Sequence, residues 1–250
     1  MVSIRESMRK SLASSAGLAR ALSKLGYCSR SRAGELIAGG RVRLNGSWVF
    51  DPEKPSVPGI DVIEVDGKKI REAGKVYLMM NKPRGIVTSA SDEKGRETVY
   101  SLLPEDLPWI APVGRLDKAS EGLLLFTNDS SWGARITSPE SHLEKTYHVQ
   151  ITGVTDEDLL NGLRVGIKSK EGDFLRVKLA TVVRTGKKNC WLEITLDEGK
   201  NRHVRRLLAA RGIEVLRLVR IAIGPLRLGD LERGKVRELR PQEKALLAAG

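Results

Sequence analysis

Residues 112–129 read PVGRLDKASEGLLLFTND, and this stretch joins a polar loop to a strongly apolar run. The apolar part, 122–127, is typical of a β-strand that is covered on both faces. The loop before it carries Asp117 between Arg115 and Lys118, so nearby positive charge favours the ionised carboxylate. An ionised, desolvated aspartate can act as a nucleophile or a base. An aspartate in a loop is also commonly a turn or capping residue, so the spacing alone leaves both roles open.

Other segments outside this strand show strand or helix periodicity. The run 76–80 is continuously apolar, whereas 145–151 and 190–196 alternate apolar and polar residues, as half-covered strands do. Helices are expected over 130–136, 156–162 and 201–211. Because strands outnumber helices and do not alternate regularly with them, we predict an α+β fold with a mixed, mainly antiparallel sheet and flanking helices.

The N-terminal part has a different pattern and predicts a small α/β domain. Two helices and two strands are expected there, over 18–25, 29–37, 42–44 and 62–65. Gly26 ends the first of these helices, and Ser29 or Ser31 caps the second. We therefore expect a disordered basic tail over 1–15, the small domain over 16–71, and a larger domain over 75–245.

The chain is basic, with 43 Lys+Arg against 31 Asp+Glu and a net charge of +12. Such an excess indicates a polyanionic partner, most commonly nucleic acid, although an ordinary basic enzyme has the same composition. The segment 200–240 holds twelve basic and four acidic residues, which predicts a phosphate-binding surface. The arginines that we assign to RNA binding on this ground are Arg202, Arg205 and Arg206, together with Arg30, Arg32, Arg41 and Arg43 in the small domain.

Two cysteines far apart in sequence, Cys28 and Cys190, and three histidines do not give a metal-ligand pattern, so we expect no metal and no small-molecule cofactor. One disulfide is formally allowed, but nothing else indicates secretion. The first residues have no long apolar run like that of a signal peptide or a membrane helix. We expect a soluble, cytoplasmic protein that does not bind a membrane.

The stretch 114–129 resembles the signature of the RsuA-type ribosomal-RNA pseudouridine synthases. Three further blocks follow in the order found in that family: NKPRGIVTS at 81–89, EKTYHVQITG at 144–153 and EGKNRHVRRLLAARGIEVLRLVRIAIGPLRLG at 198–229. The segment 19–46, ARALSKLGYCSRSRAGELIAGGRVRLNG, resembles the S4 RNA-binding domain, which commonly precedes this catalytic domain.

The resemblance implies a role for individual residues. Asp117 is the expected catalytic aspartate, Tyr147 the tyrosine that packs against the target base, and Lys200 the basic residue that pairs with the aspartate. Leu218 is expected to place an apolar side chain against the pocket, and Arg115 to help hold the flipped nucleotide.

One position departs from the family pattern, because His203 stands where glutamine is common after the Asn-Arg pair. This histidine is equally suited to contacting RNA and to making a structural hydrogen bond. The departure affects the local helix contacts that we expect, and it leaves the chemistry unchanged.

The implied activity is isomerisation of a specific uridine in ribosomal RNA to pseudouridine, by breaking and re-forming the glycosidic bond. The stretch 91–105 and the pair Glu121-Gly122 are most similar to the branch that modifies large-subunit rRNA; small-subunit rRNA and tRNA are the alternatives. A non-catalytic RNA-binding or ribosome-assembly protein, and a glycosidase that uses Asp117 and Glu121, also stay open. We expect a monomer, and whether Asp117 attacks the ribose or removes its 2′-proton is undecided.

Overall fold

The computed structural model describes residues 15–90, 92 and 94–248, with only the backbone of residue 248. The predicted tail, 1–15, lies outside the described residues except for its last position. The described residues form two compact units. The first contains 15–76, 104–111 and 127–130, and the second contains the rest.

The first unit packs two helices against short strands. Its helices are α1 (Leu18–Lys24) and α2 (Arg30–Ala38), and its strands are β1 (Ala16–Gly17), β2 (Val42–Leu44), β3 (Ser47–Trp48), β4 (Pro55–Ser56), β5 (Ile63–Val65) and β6 (Lys68–Lys69). Strand β1 pairs with β4, and the other four form an antiparallel sheet in the order β3-β2-β5-β6. Of the two predicted capping residues, Ser29 caps α2, because its Oγ accepts a hydrogen bond from the Arg32 amide at 3.1 Å. Apolar side chains of both helices, β2 and β5 form one buried core.

The second unit is built on a nine-stranded sheet and a two-stranded ribbon. The sheet contains β7 (Tyr77–Lys82), β8 (Ala111–Val113), β9 (Glu121–Thr127), β10 (Lys145–Thr152), β13 (Leu179–Thr185), β14 (Asn189–Leu196), β15 (Val215–Ile223), β16 (Leu226–Arg227) and β17 (Val236–Glu238), and the ribbon contains β11 (Ile167–Lys168) and β12 (Phe174–Leu175). The helices are α3 (Ser130–Thr137), α4 (Glu157–Val165), α5 (His203–Ala209) and α6 (Pro241–Ala248), and single 3-10 turns lie at Val99–Leu102 and Pro139–Ser141.

The strand order is β13-β14-β10-β15-β9-β7-β17, with β8 paired to β9 and β16 to β15. Strand β10 runs antiparallel to β14 and β15, whereas β15 and β9 run parallel. The predicted α+β class with a mixed, mainly antiparallel sheet is therefore confirmed. Strand β15 was not predicted, because Arg217 and Arg220 interrupt its apolar run with a spacing of three residues instead of two.

Helices cover the sheet at two places. Side chains of α4 and α5 pack on β10, β14 and β15, and those of α3 and α6 pack on β7, β9 and the end of β15. Within the ranges that the structure describes, none of the helices is long and apolar enough to cross a membrane.

Strands β9 and β15 approach each other closely at Gly122. Its φ is +102°, and an added Cβ would lie 2.3 Å from the carbonyl oxygen of Arg220 and 2.8 Å from its nitrogen. Glycine is the residue that fits both this backbone conformation and this space. The close approach fixes where β9 begins, and therefore places the loop that precedes it.

Candidate active site

A cavity of about 660 Å³ lies in the second unit, beside the first residues of β9 and β10 and the last residues of β14 and β15. Its wall contains six residues that the sequence analysis assigned to the site: Arg115, Asp117, Tyr147, Lys200, Arg202 and Leu218. Four separate segments of the chain supply them, so the fold brings together side chains that are distant in sequence.

The loop Leu116–Ser120, which carries Asp117, is held by its backbone. Each of its five carbonyl oxygens accepts a hydrogen bond from another group. In chain order the donors are Thr88 Oγ1, the Ser120 amide, the Gly85 amide, Arg205 Nη2 and Lys82 Nζ, at 2.8, 2.9, 2.8, 3.0 and 2.9 Å. Such a set of bonds fixes the position from which the Asp117 side chain projects.

Lys82 is the most deeply buried of these donors, with none of its surface exposed. Its ammonium group donates to the carbonyl oxygens of Pro83, Asp117 and Ser120. Burial lowers the pKa of Lys82 to about 8, although the negative charges of Asp117 and Glu121 oppose the shift. Lys82 had no predicted role, because a lysine in a sequence normally indicates an exposed side chain. Its only signal was its place in the block 81–89.

The Asp117 side chain is half-buried in the wall of the cavity. Among the described residues, its carboxylate has no ion-pair or hydrogen-bond partner within the chain. Burial and the charge of Arg202 lower the pKa of Arg205, and Asp117 opposes that shift. Asp117 is therefore a carboxylate near cations whose oxygens are available to a bound molecule.

The expected ion pair between Lys200 and Asp117 is not formed in this structure. Lys200 Nζ instead lies 3.0 Å from Glu198 Oε2 and donates to the carbonyl oxygen of Phe174 at 2.9 Å. Glu198 is two residues away on the same loop, so it is the nearer partner for an exposed and flexible lysine. Lys200 still lines the cavity that contains Asp117.

Tyr147 and Leu218 form an apolar part of the wall. Tyr147 is half-buried and packs against the core under α4 and α5, and Leu218 is a member of that core. An aromatic ring beside an aliphatic side chain gives a surface on which a flat base can stack.

The three arginines at α5 do not gather on one surface. Arg202 is exposed and lines the cavity, whereas Arg205 is half-buried and donates to the carbonyl oxygens of Ala119 and Val215. Arg206 forms ion pairs with Glu171 and Asp173 on a different side. Successive residues of a helix point in different directions, and the partners of Arg206 lie more than thirty residues away in sequence. The sequence could not show these partners.

The four arginines assigned to the first unit differ in their surroundings. Arg32 is paired with Glu35, Arg41 with Asp66, Arg43 lies 4.2 Å from the centre of the Trp48 ring, and Arg30 is exposed. Arg30 and Arg43 are therefore the members of this set without a carboxylate partner among the described residues.

His203 is buried, and its Nε2 lies 2.9 Å from the carbonyl oxygen of Arg176. This contact corresponds to the structural hydrogen bond, one of the two roles expected for His203. Burial lowers the pKa of this histidine. Two further cations, Lys145 and Arg220, line the cavity and had no predicted role. Both cysteines are free thiols, and the described ranges contain no group of His, Cys, Asp or Glu that could hold a metal ion.

Comparisons with known proteins agree with this arrangement. Residues 76–210 match the family described as RNA pseudouridylate synthase, and residues 17–55 match the S4 domain. The chain is 40% identical over 227 residues to an uncharacterized RNA pseudouridine synthase of Aquifex aeolicus, covering 90% of this chain and 91% of that one. It is 37% identical over 233 residues to ribosomal large subunit pseudouridine synthase B of Bacillus subtilis, covering 93% and 95%. A solved structure of a pseudouridylate synthase matches with a TM-score of 0.66 at 30% identity, over 93% of this chain and 99% of that chain.

Proposed function

The chain belongs to the RNA pseudouridylate synthase family, and from this premise we propose that it isomerises a uridine of large-subunit ribosomal RNA with Asp117 as the catalytic carboxylate. One observation carries the choice of Asp117: its carboxylate, which has no partner among the described residues, shares a cavity with a stacking surface and several cations. The name of the Bacillus relative supports the large subunit as the source of the substrate.

The reaction breaks the bond between uracil N1 and ribose C1′, turns the base, and joins C1′ to C5. The target base is stacked inside folded RNA, so it must first be everted, at a cost of about a few kcal/mol. Stacking on Tyr147 returns about 1–3 kcal/mol of that cost. The Asp117 carboxylate then either bonds to C1′ or removes the 2′-proton, and both routes require an ionised, fixed oxygen beside the sugar. The isomerisation transfers neither electrons nor phosphate to a second molecule, so it requires no cofactor.

The two units offer separate contacts to RNA. At the cavity, the exposed Arg115 and Arg202 are placed to contact phosphates beside the everted nucleotide. In the first unit, Arg30 and Arg43 are cations of the S4 domain without a carboxylate partner among the described residues. Two linked weak sites raise the overall affinity without either being tight. We expect the protein to act as a monomer, in the cytoplasm.

Release of tritium tests the activity directly. Ribosomal RNA labelled at uracil C5 loses its label only when C5 becomes bonded to the ribose. We expect the wild-type protein and D230N, which removes an exposed carboxylate outside the cavity, to release tritium, and D117N to release none while still binding RNA. Wild-type turnover by D117N would refute the role of Asp117. Binding without any release by the wild-type protein would indicate a non-catalytic protein, and free uracil among the products would indicate a glycosidase.

The identity of the substrate needs a second measurement. Pseudouridines mapped across total RNA, with and without the gene for this protein, identify the modified position. We expect one or a few sites in large-subunit rRNA to disappear with the gene. Loss confined to small-subunit rRNA or to tRNA would overturn this part of the proposal and leave the chemistry intact.

A further inference from the structure

Arg220 is a buried cation in the wall of the cavity. It is 6% exposed, and its Nε donates to the carbonyl oxygen of Leu123 at 2.7 Å. Its Nη2 is enclosed and has no hydrogen-bond partner among the described residues. A buried guanidinium normally uses its donors fully, because an unmade hydrogen bond costs about 1–3 kcal/mol. Arg220 is therefore a fixed positive charge in the cavity wall that no carboxylate among the described residues neutralises.

Lys145 is a second cation in the same wall. It is the first residue of β10, it is half-buried, and it lines the cavity together with Arg220. Burial, followed by the positive charge of Arg220, lowers the pKa of Lys145, so the two charges are close enough to interact. Within the described ranges neither side chain has an ion-pair partner. Two adjacent cations without a carboxylate favour the arrival of negative charge at this point.

The position of Arg220 in the sheet places it beside the stacking surface. Arg220 and Tyr147 are directly opposite each other on the antiparallel strands β15 and β10. Opposite residues of an antiparallel pair project from the same face of the sheet. A base that packs against Tyr147 therefore has Arg220 as a neighbour, whereas the exposed Arg115 and Arg202 are suited to the phosphates.

We propose that Arg220, assisted by Lys145, is a catalytic residue that stabilises the negative charge on the detached uracil. This inference rests on the proposed function. When the N1–C1′ bond breaks, both of its electrons go to the uracil ring, and the charge spreads over N1, O2 and O4. The ring then bonds through C5 to C1′ and loses its C5 proton, and N1 gains a proton, so the charge exists only between the two steps. Fixed donors aimed at a transient charge are among the largest contributions to catalysis.

The test compares two leaving groups. A ribosomal RNA fragment carries either uridine or 5-fluorouridine at the target position, with a radiolabel in that nucleotide. Fluorine withdraws electrons and stabilises the uracil anion, so a fluorinated base depends less on a cation in the protein. Because fluorine at C5 prevents the final loss of a C5 proton, the single-turnover rate is scored for both substrates as loss of the labelled starting nucleotide. This rate and the RNA affinity are measured for the wild-type protein, R220Q, R220K and K145M. R227Q, which removes an exposed charge outside the cavity, is the matched control.

We expect R220Q to slow the reaction of uridine by about 100-fold and that of 5-fluorouridine by about tenfold or less, with RNA affinity unchanged. K145M shows the same pattern with a smaller loss, and R220K retains part of the rate. If R220Q does not fold, R220K and K145M provide the test, because they preserve a donor at 220 or remove only a half-buried charge.

Two results would overturn the inference. Equal losses on uridine and 5-fluorouridine would mean that Arg220 only supports the fold. Weaker RNA binding with an unchanged single-turnover rate would mean that the two cations bind a phosphate. Both results require an active wild-type protein, so they are distinct from failure of the proposed function, in which the wild-type protein itself yields no pseudouridine.

Discussion

Replacing Gly122 by alanine tests the close approach of β9 and β15. The added Cβ would lie 2.3 Å from the carbonyl oxygen of Arg220, whereas such atoms essentially never come within 3.0 Å. The two strands would have to separate by about 0.7 Å. A side chain at positive φ costs about 1–2 kcal/mol, and overpacking costs about 1–3 kcal/mol. We therefore expect the free energy of unfolding to fall by about 2–5 kcal/mol.

The same substitution is expected to reduce activity. Asp117 is five residues before Gly122, so a shift of β9 moves the carboxylate relative to Tyr147. A displacement of about 1 Å costs about 100-fold in rate. Urea denaturation measures the stability, and tritium release from labelled RNA measures the rate. The matched control is G172A, because Gly172 has a similar φ of +94°, and apart from its chain neighbours no described residue has an atom within 4 Å of an added Cβ.

Comparing G122A with G172A separates the cost of the backbone conformation from the cost of steric overlap with Arg220. G172A is expected to lose only the cost of its backbone conformation, about 1–2 kcal/mol, with normal activity. If G122A and G172A unfold at the same urea concentration, steric overlap with Arg220 contributes nothing to the loss of stability in G122A. If G122A is strongly destabilised but fully active when folded, the start of β9 does not place the catalytic loop.

Three further predictions concern buried and charged groups. Burial lowers the pKa of Lys82 from 10.5 in the unfolded chain to about 8 in the folded one. Between these two pH values the unfolded chain binds more protons than the folded chain, so the contribution of Lys82 to the free energy of unfolding rises with pH. Urea denaturation at pH 7 and pH 10 is expected to show that rise in the wild-type protein and not in K82M. The hydrogen bonds from Arg237 lower the pKa of Glu243 to about 2, so E243Q is expected to be less stable by about 1–2 kcal/mol at pH 6. That difference is present above pH 4.5 and disappears towards pH 2, and a constant difference would contradict the pairing. The double variant R30E/R43E is expected to bind RNA more weakly, and the slope of log K against log salt concentration is expected to become shallower by about 2. Titrations at several salt concentrations measure both quantities. Unchanged affinity at physiological salt would count against the S4 contact.

Much of the candidate site could be predicted because a sequence motif carries tertiary information. Asp117, Tyr147 and Leu218 are distant in sequence, and their own spacing says nothing about contact between them. The resemblance linked them in advance, and all three line one cavity. From the residues alone, a turn or capping role was favoured for Asp117 over a catalytic one.

The parts that could not be predicted depend on long-range partners. Lys82 and Arg220 are cations of types that are usually exposed, and their burial depends on backbone oxygens far along the chain. Lys200 was expected to pair with Asp117, and Arg206 was expected to bind RNA. In the structure Lys200 pairs with Glu198 and Arg206 pairs with Asp173. Ion pairs and hydrogen bonds between distant residues depend on the folded structure, and they produce no periodic pattern in the sequence. The parallel pairing of β9 with β15 was hidden for the same reason.

The carbonyl bonds that hold Leu116–Ser120 have a consequence for how the enzyme can change. Main-chain atoms define the shape of this loop, and every residue type except proline offers the same main-chain groups. The exposed side chain of Lys118 is therefore exchangeable without displacing the neighbouring carboxylate. Diversification at this position, by natural drift or by a designed library, therefore leaves the placement of the carboxylate inherited unaltered.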